Sequence, residues 1–168
     1  MIEVDPNDGF GGGGGGGGDV NLVETDNILD AFYRMVDNVQ TNLREIQNGM
    51  GTLSMKHGER LRTPDADLAS RLSGELDDLQ TEIGGHFQRG EQELKKMAEG
   101  TAKLKETPED EANNVAVIKI QQNQHAHLLR NYMTALKEYQ AMQQDFKQQR
   151  FDQTKRQIET KFRDSNGN

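Results

Sequence analysis

Four histidines, His57, His86, His125 and His127, are the side chains best suited to proton transfer or metal ligation near neutral pH. Their spacing favours neither. His125 and His127 are two residues apart and would point in different directions from a helix. There is no HExxH and no His-x-x-x-His, and a chain without cysteine has no thiolate to complete a zinc site. A di-iron bundle needs Glu-x-x-His on facing helices, but the residues three before each histidine are Ser54, Ile83, Gln122 and Gln124. No serine sits in a nucleophile elbow. The run Gly11–Gly18 is no phosphate loop, which requires spaced glycines between a strand and a helix followed by Lys and a hydroxyl. The expectation is a protein with no catalytic residue, no cofactor and no metal, in which His125 is a partly buried polar residue.

The elements that carry these residues are helical. Only 32% of the 168 residues are hydrophobic and 29% are charged, which suits a slender bundle with about three positions in seven facing inward. No apolar run reaches the ~18 residues of a membrane span, and the start MIEVDPNDGF is not a secretory signal. The absence of cysteine excludes disulfides and fits a reducing compartment. A net charge of −8 argues against a grip on nucleic acid and against adsorption to an anionic membrane. Protein partners are what remains.

Along the chain, residues 1–25 read as a disordered acidic and Gly-rich segment, 26–163 as an all-α, long antiparallel three-helix bundle, and 164–168 as a tail. The first helix, about 26–58, carries a stripe from Ile28 and Phe32 through Val39, Leu43 and Ile46 to Leu53. Gly49, Gly51 and Gly58 weaken its end. The second, about 64–105, presents Leu72, Leu76, Leu79, Ile83, Phe87, Leu94 and Met97. The third, about 108–162, carries Ile118, His125, Tyr132, Tyr139 and Phe146 seven apart, with parallel rows Leu128, Ala135, Met142 and Leu129, Leu136, Gln143. RTPDAD and ETPEDE are helix starts: Thr63 and Thr107 as caps, Pro64 and Pro108 at the first position, acids after them. The predicted core includes Phe32, Val39, Ile46, Leu72, Leu79, Leu128, Leu136 and Tyr139. The glutamines of the third helix suit either a solvated face or a neutral face that bonds a partner helix. Met133, Phe151, Ile158 and Phe162 lie off the core stripe.

One further pattern is specific. Asn123-Gln124-His125, Leu128, Arg130, Tyr132, Glu138-Tyr139, Ala141, Gln143, Asp145-Phe146 and the later KRQIE resemble the third helix of syntaxin N-terminal domains, and FYRMVDNVQTNLREI resembles their first. The likeness spans roughly 26–163, is strongest in the third helix and weak in the second, and is a good match to the plasma-membrane branch. It implies the regulatory Habc domain of a Qa-type SNARE, which controls SNARE assembly in vesicle docking and exocytosis. Such a domain folds onto the C-terminal SNARE helix of its own chain or binds an SM-family regulator, and meets other SNAREs through the full-length protein. The implied docking groove lies between the second and third helices, with Arg130, Met133, Glu138 and Phe151 as the expected contact residues. The resemblance places the full-length protein on the cytoplasmic face of the plasma membrane and makes this chain a soluble fragment. Neither a SNARE motif nor a membrane anchor follows FRDSNGN, and MIEVDPNDGF does not match the short basic peptide that SM regulators bind. The competing expectation is a generic helical adaptor or spectrin-like bundle.

Overall fold

The computed structural model describes the backbone of residues 18–166 and the side chains of residues 24–165. That span holds four helices and no strand: α1 (Gly18–Arg62), α2 (Ala66–Lys103), α3 (Pro108–Asn113) and α4 (Val115–Asn166). Cross-helix hydrogen bonds give the directions. Along the α1–α2 seam Asn42 meets His86 and Lys56 meets Glu75, and along the α2–α4 seam Thr101 meets Gln121 and Tyr132 meets Phe87. Helices α1 and α2 are therefore antiparallel, as are α2 and α4, while α1 and α4 run parallel, His57 meeting Gln149 and Leu61 meeting Gln153. At 1.5 Å per residue, α4 is about 78 Å long.

Several boundaries differ from the sequence expectation. Helix α1 begins at Gly18, inside the segment expected to be disordered, and the rest of that segment lies outside the described residues. It also continues through Gly51 and Gly58 to Arg62, because Leu53 and His57 are buried on the same face and packing outweighs the weak propensity of glycine. Thr63 does not cap α2. Its hydroxyl donates to the Glu59 carbonyl at the end of α1, and the Asp65 carboxylate accepts from the Leu68 amide instead (2.8 Å). Once α1 has extended to Arg62, only three residues are left for the turn, and the cap shifts onto the acid.

Thr107 does cap, accepting from the Asp110 amide, with Pro108 opening α3. The expected continuous third helix is broken at Asn114, which has φ −114° and ψ 14°. Its side-chain amide donates to the Asp110 carbonyl (2.9 Å), a local bond that competes with helix continuation. Its own carbonyl then accepts from Ile118 and starts α4. The far end runs to Asn166, past the expected 162, with residues 167–168 outside the described span.

The core follows the predicted stripes. Phe32, Val39, Ile46, Leu53, Ile83, Met97 and Leu128 are almost wholly enclosed, and Leu72 and Tyr139 are buried. Leu79 and Leu136 are only half-buried. The row Leu129, Leu136, Gln143 departs most: Leu129 is 41% exposed and Gln143 is exposed. That row faces the α2 side of α4, where the two helices leave space between them.

Candidate helix-docking groove

Of the three seams between long helices, α2 against α4 is the thinnest. Its bonds are made by polar reach across the gap. The Tyr132 hydroxyl donates to the Phe87 carbonyl (3.0 Å), and the His125 Nε2 lies 3.0 Å from the Leu94 carbonyl. The ring of Tyr132 packs over Gly90, where an added Cβ would lie 3.4 Å from it. Above these bonds the seam opens into a groove.

Two cavities mark its ends. The upper, about 370 Å³, is lined by Ala98 and Ala102 of α2, by Lys105 just past its end, and by Gln122 and His125 of α4. The lower, about 240 Å³, is lined by Ser73, Asp77 and Gln80 of α2 and by Gln143, Lys147 and Arg150 of α4. Since Gln122 and Gln143 line it, Leu129 and Leu136, seven apart between them, occupy the same row. Met133 follows Leu129 by one turn and is 43% exposed. On the α2 wall Gly84 follows Gln80 by one turn, and nothing fills the space where its side chain would be. Gly84, Ala98 and Ala102 on the α2 wall, facing exposed apolar residues of α4, leave a trough that can accept a helix.

The four expected contact residues do not cluster. Met133, one turn beyond Leu129, is exposed on the α2 side of α4, and Phe151, one turn beyond Lys147, is 64% exposed on the same side. Glu138 lies on the opposite flank, lining the α1–α4 cleft with Gln40, Arg44 and Gln47. Arg130 is exposed on the outer face, two residues from inward-facing Tyr132. The resemblance that named these four did not distinguish their directions, whereas the residues seven apart from Gln122 to Gln143 were the signal that would have found the groove.

The histidines separate in the same way. His57 meets Gln149, His86 meets Asn42, His125 meets the Leu94 carbonyl and His127 meets Asn131. Among the described residues no three His, Asp or Glu side chains come together as a metal site. The hydrogen bond of His125 crosses from α4 to α2. Sequence reasoning missed His57, which is 3% exposed and stacks on Phe146 with ring centroids 3.9 Å apart. The glutamines divide too: Gln121 and Gln149 bond inside the bundle and Gln153 donates to the Leu61 carbonyl, while Gln122 and Gln143 line the groove.

Burial pushes the pKa of His57 down. The Gln149 hydrogen bond opposes that shift, and the charges of Arg150 and Arg60 add to it. The unfolded chain takes up this proton near pH 6.5, while the folded chain resists it. Stability is thus fully present above about pH 6.5 and falls as the pH drops below it toward the folded pKa. Thermal unfolding between about pH 7.5 and 5 should show a falling Tm, and His57→Gln, which cannot titrate, should flatten that slope. An unchanged slope in the variant would remove His57 as its source.

The Syntaxin family model matches residues 26–163, most of the chain. The chain belongs to the syntaxin family. A chain of the crystal structure of the Unc18–syntaxin 1 complex from Monosiga brevicollis superposes on this syntaxin bundle with a TM-score of 0.68 and 19% sequence identity, over 83% of this chain and 66% of that one. At that identity the likeness speaks for a shared fold, and this chain spans about two thirds of the other's length. Among the described residues of this syntaxin domain, no helix is long and apolar enough to cross a membrane.

Proposed function

We propose that this syntaxin bundle is a non-enzymatic regulatory domain that governs when its own SNARE helix is available for membrane fusion. It does so by receiving that helix in the α2–α4 groove, and an SM-family regulator engages the same bundle. The observation that carries this reading is the groove: the thinnest seam of the bundle, with Gly84, Ala98 and Ala102 on one wall and Leu129 and Met133 exposed on the other. The Monosiga brevicollis neighbour, solved as a complex of Unc18 with syntaxin 1, supports the regulator half. Exocytosis at the plasma membrane is the setting proposed, on the resemblance of the α4 motif to that branch.

An amphipathic helix would place anchors at i, i+3, i+4 and i+7 into the trough. Within one chain a weak contact suffices, because a flexible linker supplies an effective concentration of about millimolar. The test is NMR titration of the 168-residue chain with the SNARE segment of its full-length protein and, separately, with the SM regulator. Amide shifts are expected at Gln80, Gly84, Ala98, Leu129 and Met133. Leu129→Asp with Met133→Asp should weaken binding at least about tenfold and leave Tm within a few degrees, since both side chains are exposed. Absence of binding by either partner at hundreds of micromolar would rule the reading out.

A further inference from the structure

The two ends of the groove differ in charge. The upper cavity has one cation, Lys105. The lower has an apolar floor of Leu76 and Phe146, with the His57 ring stacked on Phe146. Lys147 and Arg150 stand on its α4 side. Arg60 reaches its base from α1, its Nε donating to the Ser73 hydroxyl at 3.0 Å. Facing them is a single carboxylate, Asp77. The ion pairs among the described residues are Lys56–Glu75, Lys95–Glu99, Lys96–Glu93 and Lys155–Glu159, so Arg60, Lys147 and Arg150 belong to none. Two cations outside any ion pair line this cavity and a third, Arg60, bonds to its Ser73, in a chain whose net charge is −8. Burial is the main cause of the depressed His57 pKa, and the charges of Arg150 and Arg60 add to it.

We propose that this lower cavity is an anchor pocket for an acidic side chain, Glu or Asp, carried within the apolar face of the helix that docks in the groove. The proposal rests on the docking reading above and adds the chemistry of the occupant. An apolar side chain would also fit the floor of Leu76 and Phe146. It would, however, cover Lys147 and Arg150 without pairing them, and a covered charge without a partner is costly. A basic side chain would meet three like charges and one opposite. A carboxylate satisfies the cations while its methylene groups lie on Phe146. One such anchor at one end of the trough also sets the register and direction of the docked helix, because the upper end offers it no equivalent.

The test uses the 168-residue chain and three synthetic helical peptides of about three heptads. Each has leucines at i, i+3, i+4 and i+7, and they differ only in one interfacial position: Glu, Gln or Lys. Affinity is read by fluorescence anisotropy, the binding site by amide shifts and the pocket by the NMR titration of the His57 imidazole. The Glu peptide is expected to bind about three- to tenfold more tightly than the Gln peptide at low salt. It should also raise the His57 pKa, which the Gln peptide should not. Lys147→Gln with Arg150→Gln should abolish the preference, and Lys147→Glu with Arg150→Glu should transfer it to the Lys peptide. Equal affinities for Glu and Gln, with shifts still confined to the α2–α4 groove, would overturn the acidic anchor and leave the docking reading standing. Shifts elsewhere, or binding by none of the three, would overturn both.

Discussion

Leu128→Ala is expected to lower the unfolding free energy by about 2–5 kcal/mol, through lost burial and the cavity left behind. Leu128 is 1% exposed and belongs to the cluster that includes Phe32, Val39 and Ile46. Few sites in the bundle have less room to relax. Its neighbour gives the control. Leu129 is 41% exposed, and Leu129→Ala should cost under about 1 kcal/mol. Urea or thermal unfolding of the two variants reads the difference directly, with each kcal/mol worth roughly 3–6 °C in Tm for a domain of this size. Leu136→Ala, at a half-buried position, should fall between them. A larger loss at 129 than at 128 would mean that α4 is rotated by one residue, about 100°, from this orientation, and the groove would then not exist.

The second large effect is at Gly49. A Cβ there would lie 2.8 Å from Ile83 Cγ1 and 3.2 Å from Cδ1, closer than packed atoms tolerate. In an exposed helix the change to Ala gains about 1 kcal/mol. Here Ile83 is 1% exposed and has nowhere to move, so α1 and α2 must separate or the side chain must leave its rotamer. Gly49→Val is expected to destabilise by about 1–3 kcal/mol, and Ile83→Ala in the Gly49→Val background should recover part of the loss beyond additivity. Gly84 is the opposite case. Nothing lies within 4 Å of its added Cβ, so Gly84→Ala should stabilise the free domain by about 0.5–1 kcal/mol. On the docking reading the same methyl group narrows the trough and weakens partner binding. A double-mutant cycle at 49 and 83, read by chemical denaturation, decides the first claim. A Gly49→Val protein as stable as the parent would show that the helices do not approach at this point.

These two glycines show where sequence and structure part. On the sequence, Gly49 and Gly84 are both helix weakeners of similar cost, since propensity is a local property. Only the packing of α1 on α2 shows that one is required by Ile83 and the other faces open space. His57 is similar. As one of four histidines it has no distinguishing neighbour in the chain, because Phe146 and Gln149 lie about ninety residues away and reach it only through the fold.

The heptad rows from Phe32 to Leu53, Leu72 to Met97 and Ile118 to Phe146 were enough for the sequence to determine an all-α antiparallel bundle, since burial of a one-sided stripe has few solutions. The Thr107-Pro108 start and the syntaxin likeness of α4 were also legible, being local. Tertiary structure decided the rest. It extended α1 through its glycines, moved the α2 cap from Thr63 to Asp65 and interrupted the third helix at Asn114. It also sent Met133 and Glu138 to opposite flanks of α4, and gathered Arg60, Lys147 and Arg150 at one cavity. The periodicity of one helix determines which residues face inward. The gap between two helices depends on both partners, and no single stripe records how closely they approach.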